Sequence, residues 1–173
     1  MTVVVADTSP IRYLAVINSL HVLPALYERV VIPEMVLQEL AHPNAPIEAR
    51  AFTSPIPSWV EVRHADASNL LSSLDPGEAE AIALAQMLKV DVVLIDEREA
   101  RREATQRGLF TIGTIGILEQ AAAKNLLDLP SALARLAKTN FRIDPRYIED
   151  ALRRDAEQRD VNRPPARQSG RQP

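Results

Sequence analysis

The chain has 173 residues, 46% of them hydrophobic but only 4% aromatic, so it is long enough for one domain with a largely aliphatic core. It contains no cysteine, which excludes disulfides, thiolate zinc sites and a cysteine nucleophile together. The formal net charge of -3 is not the basic balance typical of nucleic-acid binders, although acids gathered into one pocket would mask surrounding cations in the total. No apolar run approaches membrane-spanning length, and the start MTVVVADTSP lacks the basic region and long apolar core of a signal peptide. A cytoplasmic protein with no membrane partner is expected.

Val3, Val4, Val5 and Ala6 form an apolar, β-branched run that predicts a buried strand, ended by Asp7. Ser9 followed by Pro10 has the pattern of an N-cap and first helical residue, opening a helix through Ile11, Leu14, Ala15 and Ile17. Asp7 therefore stands between a strand end and a helix start, where an aspartate often does no more than bond the following backbone. A short helical stretch at 23 to 27 leads to a strand at 30 to 32. Pro33 then begins a helix with Val36 and Leu40 facing inward and Glu39 beside that face, a place where glutamate is usually solvated. Residues 43 to 58, rich in proline, read as a surface connection around a helical piece at 47 to 52. The alternation of WVEVR predicts a strand at 59 to 63, and 66 to 73 predicts a short helix.

The next segment, LDPGEAEAIALAQMLKV, places Asp75 as an N-cap, Pro76 at the first helical position and Glu78 three residues after the cap. This capping-box pattern explains Asp75 and Glu78 structurally and leaves Glu80 unexplained. Ala79, Ala81, Ala83 and Ala85 keep the helix thin, so its first turn can approach a shared site. Val92 to Ile95 is again a strand buried on both faces, with Asp96 just beyond it, where open α/β sheets keep their ligand sites. A charged helix at 98 to 107 is stopped by Gly108, and 109 to 112 supplies another strand. Glu97 with Arg101, Glu103 with Arg107 and Glu99 with Arg102 have helical pairing distances, which predicts a solvated, salt-bridged face. Gly113 and Thr114 lead into a helix at 115 to 124. Further helices are expected at 130 to 138 and from Asp144 and Pro145 to about 158. The proline-rich, polar and basic stretch from 160 onward predicts a disordered tail. His21, His42 and His64 are scattered without ligand spacing and read as surface residues.

Five strands separated by helices predict an α/β fold with a mostly parallel sheet covered on both faces. Right-handed crossovers send all strand C-terminal ends to one edge, so Asp7 and Asp96 share it, with Glu39 and Glu78 as companions. Two like charges about 4 Å apart repel by roughly 4 kcal/mol at an effective dielectric of 20, so such a group requires cations. Hard oxygen donors select Mg²⁺ or Mn²⁺, whose retained coordination positions suit phosphodiester hydrolysis. No basic residue is an obvious partner, although Arg12 and Arg98 stand near in sequence.

The segments VVVADTSPI, VIPEMVLQEL, LDPGEAEAIALA and VLIDEREAR with GLFTIGTIGIL, in this order, resemble the PIN-domain nucleases and in particular the branch related to VapC-type toxins. The resemblance covers about residues 3 to 140. It implies a PIN-like three-layer fold with a five-stranded sheet, and a metal-dependent endoribonuclease. It also implies an RNA substrate, a small antitoxin protein as partner, and a homodimer. By position it places the family's acids on Asp7, Glu39, Glu78 and Asp96 as catalytic residues and ligands of Mg²⁺ or Mn²⁺. The third acid is often aspartate in the family, and Asp75 and Glu80 stand as alternatives here. An additional acid after the fourth has Glu99 as its candidate. Thr8 and Ser9 resemble hydroxyls that orient a carboxylate or a metal-bound water, although Ser9 also serves as a cap. Thr114 has the same two readings. The domain division expected is a catalytic domain over 1 to 140, a helical extension over 141 to 159 and the tail over 160 to 173.

Two rival enzyme classes are disfavoured. A receiver would require an acidic pair after the first strand and a lysine after the fifth, where this chain has Ala6-Asp7-Thr8 and Gly113-Thr114. A haloacid-type phosphatase would require two aspartates spaced by one residue, which Thr8-Ser9 does not provide. A catalytically inactive PIN-like scaffold that binds RNA or protein remains the alternative.

Overall fold

The β-branched runs form a five-stranded sheet in which every neighbouring pair is parallel, in the order β3-β2-β1-β4-β5. A computed structural model describes residues 2–70 and 72–161 of the chain. The strands are β1 (Val3–Ala6), β2 (Arg29–Pro33), β3 (Val60–Arg63), β4 (Val92–Leu94) and β5 (Phe110–Ile112). Side chains alternate across a strand, and in β1, β2 and β4 both alternations are apolar. Val4, Ala6, Val30, Ile32 and Leu94 enter one core, and Val5, Val31, Val93 and Ile95 the other.

The first core is closed by α1 (Thr8–Val16), α2 (Val22–Leu26), α3 (Glu34–Ala41), α4 (Ile47–Phe52), α7 (Thr114–Ala123) and α8 (Leu129–Leu136). The second is closed by α5 (Pro76–Leu88) and α6 (Arg98–Gln106). On α5 the expected small residues do this work: Ala81 and Ala85 are fully buried with Ile82 and Leu84, and the helix lies directly over β1, β2 and β4. The result is a three-layer α/β fold. The final helix, α9 (Pro145–Val161), seats Ile148, Ala151 and Leu152 on the first core, one helical turn apart. Arg154 to Glu119 at 2.8 Å and Arg159 to Asp128 at 3.2 Å add exposed ion pairs of small energetic worth.

Local departures from expectation have simple causes. The first helix begins at Thr8 rather than after Ser9, with Asp7 at the N-cap position, so Ser9 lies inside the first turn. Proline is tolerated anywhere in that turn because those N–H groups have no helical partner. Pro33 ends β2 instead of opening α3. The stretch 66 to 70 is a turn, not a helix, because Asp66 accepts both the N–H and the hydroxyl of Ser68 at 2.9 and 3.1 Å. Such side-chain bonds compete with helix formation. Helix α9 runs two residues into the expected tail, and residues 162 to 173 lie outside the described ones. Among the described residues no helix is long and apolar enough to cross a membrane.

The chain travels outward from β1 to β3 and returns to the other side of β1 for β4 and β5. The topological switch point thus falls between β1 and β4, where the Asp7 N–H donates to Leu94 O at 2.9 Å. A crevice opens at the carboxyl ends of such strands.

Glu80, the acid that capping leaves unexplained, belongs to the packing. It is buried, and its carboxylate accepts the Met35 N–H at 2.9 Å, the Ala65 N–H at 3.0 Å and His64 Nδ1 at 2.7 Å. It thereby ties α5 to the start of α3 and to the chain leaving β3. Glu80→Ala would strand two backbone donors. We expect a loss of roughly 2–4 kcal/mol by urea denaturation, with Glu80→Gln retaining part of it.

Candidate functional site

At the switch-point crevice, Asp7, Glu39, Asp75, Glu78 and Glu97 line one cavity of about 580 Å³. Each arrives from a different local cause. Asp7 follows β1 as the residue before α1; Glu39 lies in the second half of α3; Asp75 and Glu78 close the capping box of α5 through the Asp75 N–H and Glu78 Oε2 at 3.0 Å; Glu97 precedes α6. Capping and site placement are therefore compatible for Glu78, since Oε1 takes no part in that hydrogen bond.

Asp7 is 3% exposed. Burial pushes its carboxyl from an ordinary 3.8 up to about 8; the Thr8 and Ser9 N–H groups pull it down, while Glu78 and Glu39 push it further up. Glu78 is raised by burial first, against the pull of the Asp75 N–H, with Asp75, Glu97 and Glu39 adding to the rise. The charges that act on both groups in this way are other carboxylates, so the cavity favours either protons or an added cation.

Glu39 and Asp96 are held by the same device. Glu39 accepts the Thr8 hydroxyl on Oε2 and the Gly77 N–H on Oε1 at 3.1 Å, at the start of α5. Asp96 accepts the Thr114 N–H and hydroxyl, both at 2.7 Å, at the start of α7. Helix N-termini offer unpaired N–H groups and a positive dipole end, which suits carboxylates. A glycine makes each approach possible. A Cβ on Gly77 would lie 2.7 and 2.8 Å from the Glu39 oxygens, and one on Gly113 would lie 2.9 Å from Asp96 Oδ1.

Of the four acids expected to converge, Asp7, Glu39 and Glu78 share the cavity, while Asp96 opens into an adjoining groove of about 1,720 Å³. Burial raises the Asp96 carboxyl, Thr114 lowers it twice over, Arg101 lowers it and Glu97 raises it. Ser9 and Glu97 line both spaces, so the two are contiguous. Thr8 and Thr114 each orient a candidate acid. Glu80 lines neither space, and Glu99 accepts the Ser73 hydroxyl at 2.6 Å away from both, instead of pairing with Arg102.

Two participants escape a linear reading. Glu97 was legible only as half of a helical pair with Arg101, yet it stands between Glu78 and Asp96 and raises both. Arg101 points away from that pairing, donating to Thr111 Oγ1 at 3.3 Å beside Asp96. Of the expected α6 pairs, Glu103 to Arg107 forms, at 2.7 Å. His42 reaches the cavity wall, and His64 is bound to Glu80.

As the side chains stand, the described residues include no group of three or more His, Asp or Glu that could hold a metal ion. The donor chemistry nonetheless fits a hard divalent cation: the donors are all carboxylates, and Asp7 and Glu78 are buried and raised by burial first and then by neighbouring acids. Mg²⁺ in particular uses only a few carboxylates and keeps water on its other positions.

A family model described as a PIN domain matches residues 3–157. The chain belongs to the PIN-domain family. The matched range takes in α9 down to its last turn, and the three-layer architecture with its five parallel strands is PIN-like. Among solved structures, the chain is similar to a PilT N-terminus domain protein from the hyperthermophilic archaeon Sulfolobus solfataricus P2. The identity is 16% and the TM-score 0.45, over 83% of this chain and 100% of that one. No curated protein matches the sequence.

Two outcomes follow from this geometry. Asp7 binds its proton more tightly in the folded than in the unfolded chain, so its contribution to stability is full below about pH 4 and is lost as pH rises toward about 8. Scanning calorimetry in EDTA should show the midpoint falling between pH 5 and 8, with a shallower fall for Asp7→Asn. Gly77→Ala should leave a folded protein, destabilised by roughly 1–3 kcal/mol, because the added methyl displaces the Glu39 carboxylate. Calorimetric titration should show weakened Mn²⁺ binding by the same variant.

Proposed function

We propose that this PIN-domain protein is a divalent-metal-dependent endoribonuclease that hydrolyses RNA phosphodiester bonds. The observation that carries the reading is Asp7, buried at the switch point and facing Glu39 and Glu78 across one cavity. Asp7, Glu39, Glu78 and, from the adjoining groove, Asp96 would hold Mg²⁺ or Mn²⁺. Such an ion, when bound, neutralises the acids, lowers the pKa of an attacking water and stabilises the leaving oxygen.

The chain supplies the positioning. Thr8 and the Gly77 N–H restrain Glu39, and Thr114 restrains Asp96, so neither carboxylate has to be ordered when charge arrives. Arg12 at the cavity and Arg101 beside Asp96 stand where phosphate oxygens would meet positive charge. Glu97, between the two spaces, is a further candidate ligand.

The biological setting that fits the sequence resemblance is the cytoplasmic toxin of a toxin-antitoxin module, of the VapC-related branch. Its partners would be RNA, a small antitoxin protein and a second copy of the chain as a homodimer. A second reading, a catalytically inactive scaffold that binds RNA or protein, is favoured by one observation. Both oxygens of Glu39 and both of Asp96 already accept protein hydrogen bonds, and no group of three acids is drawn together among the described residues.

Purified protein should cleave members of a panel of single-stranded and structured RNAs when Mn²⁺ or Mg²⁺ is added, and EDTA should stop it. Asp7→Asn and Asp96→Asn should lower the rate by more than the roughly 10- to 100-fold typical of losing an outer-shell partner, with unchanged circular dichroism. Wild-type rates in both variants would remove the site assignment. RNA binding by calorimetry without cleavage of any RNA in the panel would establish the scaffold instead.

A further inference from the structure

The wall of the acidic cavity is completed by groups that are not acids. Where α3 gives way to α4, Gln38, His42 and Asn44 line the same space as Asp7, Glu39 and Glu78. Prolines make the chain turn here. A proline disfavours helical backbone in the residue before it, and His42, ahead of Pro43, stands at φ -59 and ψ 140 as the cap of α3. Pro46 then occupies the N-cap position of α4. Between the two prolines the Ala45 N–H donates to His42 O at 2.8 Å, which closes the turn.

The same turn fixes the His42 ring, whose Nδ1 accepts the Asn44 N–H at 3.1 Å. A neutral imidazole carries one hydrogen on its two nitrogens, so a ring that accepts at Nδ1 donates at Nε2. Among the described residues Nε2 has no hydrogen-bond partner. Two nearby donors are already engaged: the Thr8 hydroxyl is given to Glu39, and the Arg12 guanidinium lies 5.9 Å from the centre of the Tyr13 ring. His64, by contrast, is taken up by Glu80. The bond to Asn44 by itself is an ordinary way to end a helix. Its placement at a cavity dominated by carboxylates gives the remaining N–H a chemical use.

We infer that His42 is a further catalytic residue, its Nε2–H donating to a non-bridging oxygen of the scissile phosphate as negative charge grows there. The inference rests on the nuclease reading. No proton is transferred in this role: the hydrogen stays on Nε2, and the hydrogen bond strengthens as the oxygen gains charge. A neutral donor suits this wall. A lysine or arginine in its place would pair with Glu39 or Glu78 and oppose the divalent cation that those acids would hold. Because Asn44 already holds the ring, little has to reorganise when the charge develops.

Two variants separate the donor from the turn. Asparagine offers an amide oxygen near the Nδ1 position and can still accept the Asn44 N–H, but it brings no donor to the Nε2 position. Glutamine reaches the Nε2 position with an amide N–H and gives up the turn bond. Steady-state cleavage with Mn²⁺, on an RNA of the panel that the wild type cuts, should show His42→Asn losing about 100-fold in kcat with KM unchanged, and His42→Gln recovering most of it. The reverse order, with His42→Asn near wild type and His42→Gln impaired, would leave His42 only the turn. A raised KM with wild-type kcat would leave it only ground-state binding, and either result overturns the proposal. In the metal-free protein at about pH 8, where an ordinary imidazole is neutral, long-range nitrogen-15 NMR should find the His42 hydrogen on Nε2. The signal is identified by its absence from His42→Asn, and a hydrogen on Nδ1 overturns the proposal as well. A wild type that cleaves no RNA of the panel removes the nuclease reading and this role together, whereas cleavage with wild-type kcat in His42→Asn removes the role and keeps the nuclease.

Discussion

Asp7 is a carboxylate with almost no access to water, set where two parallel strands end and the sheet reverses its order. Burying such a group carries a penalty that the nearby Thr8 and Ser9 N–H groups of the following helix offset only in part. The surroundings then deepen the penalty, because Glu39 and Glu78 face the same cavity. Three acids in this position repel one another, and Glu39 adds to the rise of both Asp7 and Glu78. That imbalance, more than any single hydrogen bond, gives the crevice its chemical character.

The architecture around the crevice limits the cost. Carboxylates are brought to the N-termini of α5 and α7, where orphan N–H groups and the helix dipole favour negative charge. Both seats depend on a glycine because backbone and carboxylate approach too closely for a Cβ, although neither glycine has an unusual φ. Threonine hydroxyls complete each seat. The matching constructions at Glu39 and Asp96 come from segments far apart in the chain and converge on contiguous spaces.

Glu80 shows how neighbouring acids on one helix diverge. Glu78 and Glu80 are two residues apart on α5, which turns them to different sides of the helix. Glu78 looks into the cavity with its capping bond, and Glu80 is surrounded by backbone donors that hold α3 and the chain leaving β3. Both are buried, so burial does not separate a candidate ligand from a structural tie; the direction and the partners do.

Much of this protein is readable from its residues in order. The apolar, β-branched runs determine the central strands and the alternation of WVEVR an edge strand, the succession of strands and helices determines a covered parallel sheet, and the capping pattern of LDPGEAE determines where α5 starts. These signals are local, and local physics suffices for them. The position of Asp7 and Asp96 at one sheet edge follows as well, because crossover handedness is nearly invariant. Tertiary structure alone decided that Asp96 faces a groove beside the cavity, that Glu97 links the two, and that Arg101 leaves its helical partner to stand next to Asp96. It alone decided that α9 and the chain before it form a wall of that groove. Those outcomes depend on rotamers, on the angle at which helices cross the sheet, and on contacts between residues as far apart as Tyr13 and Phe141, none of which has a periodic trace in the sequence.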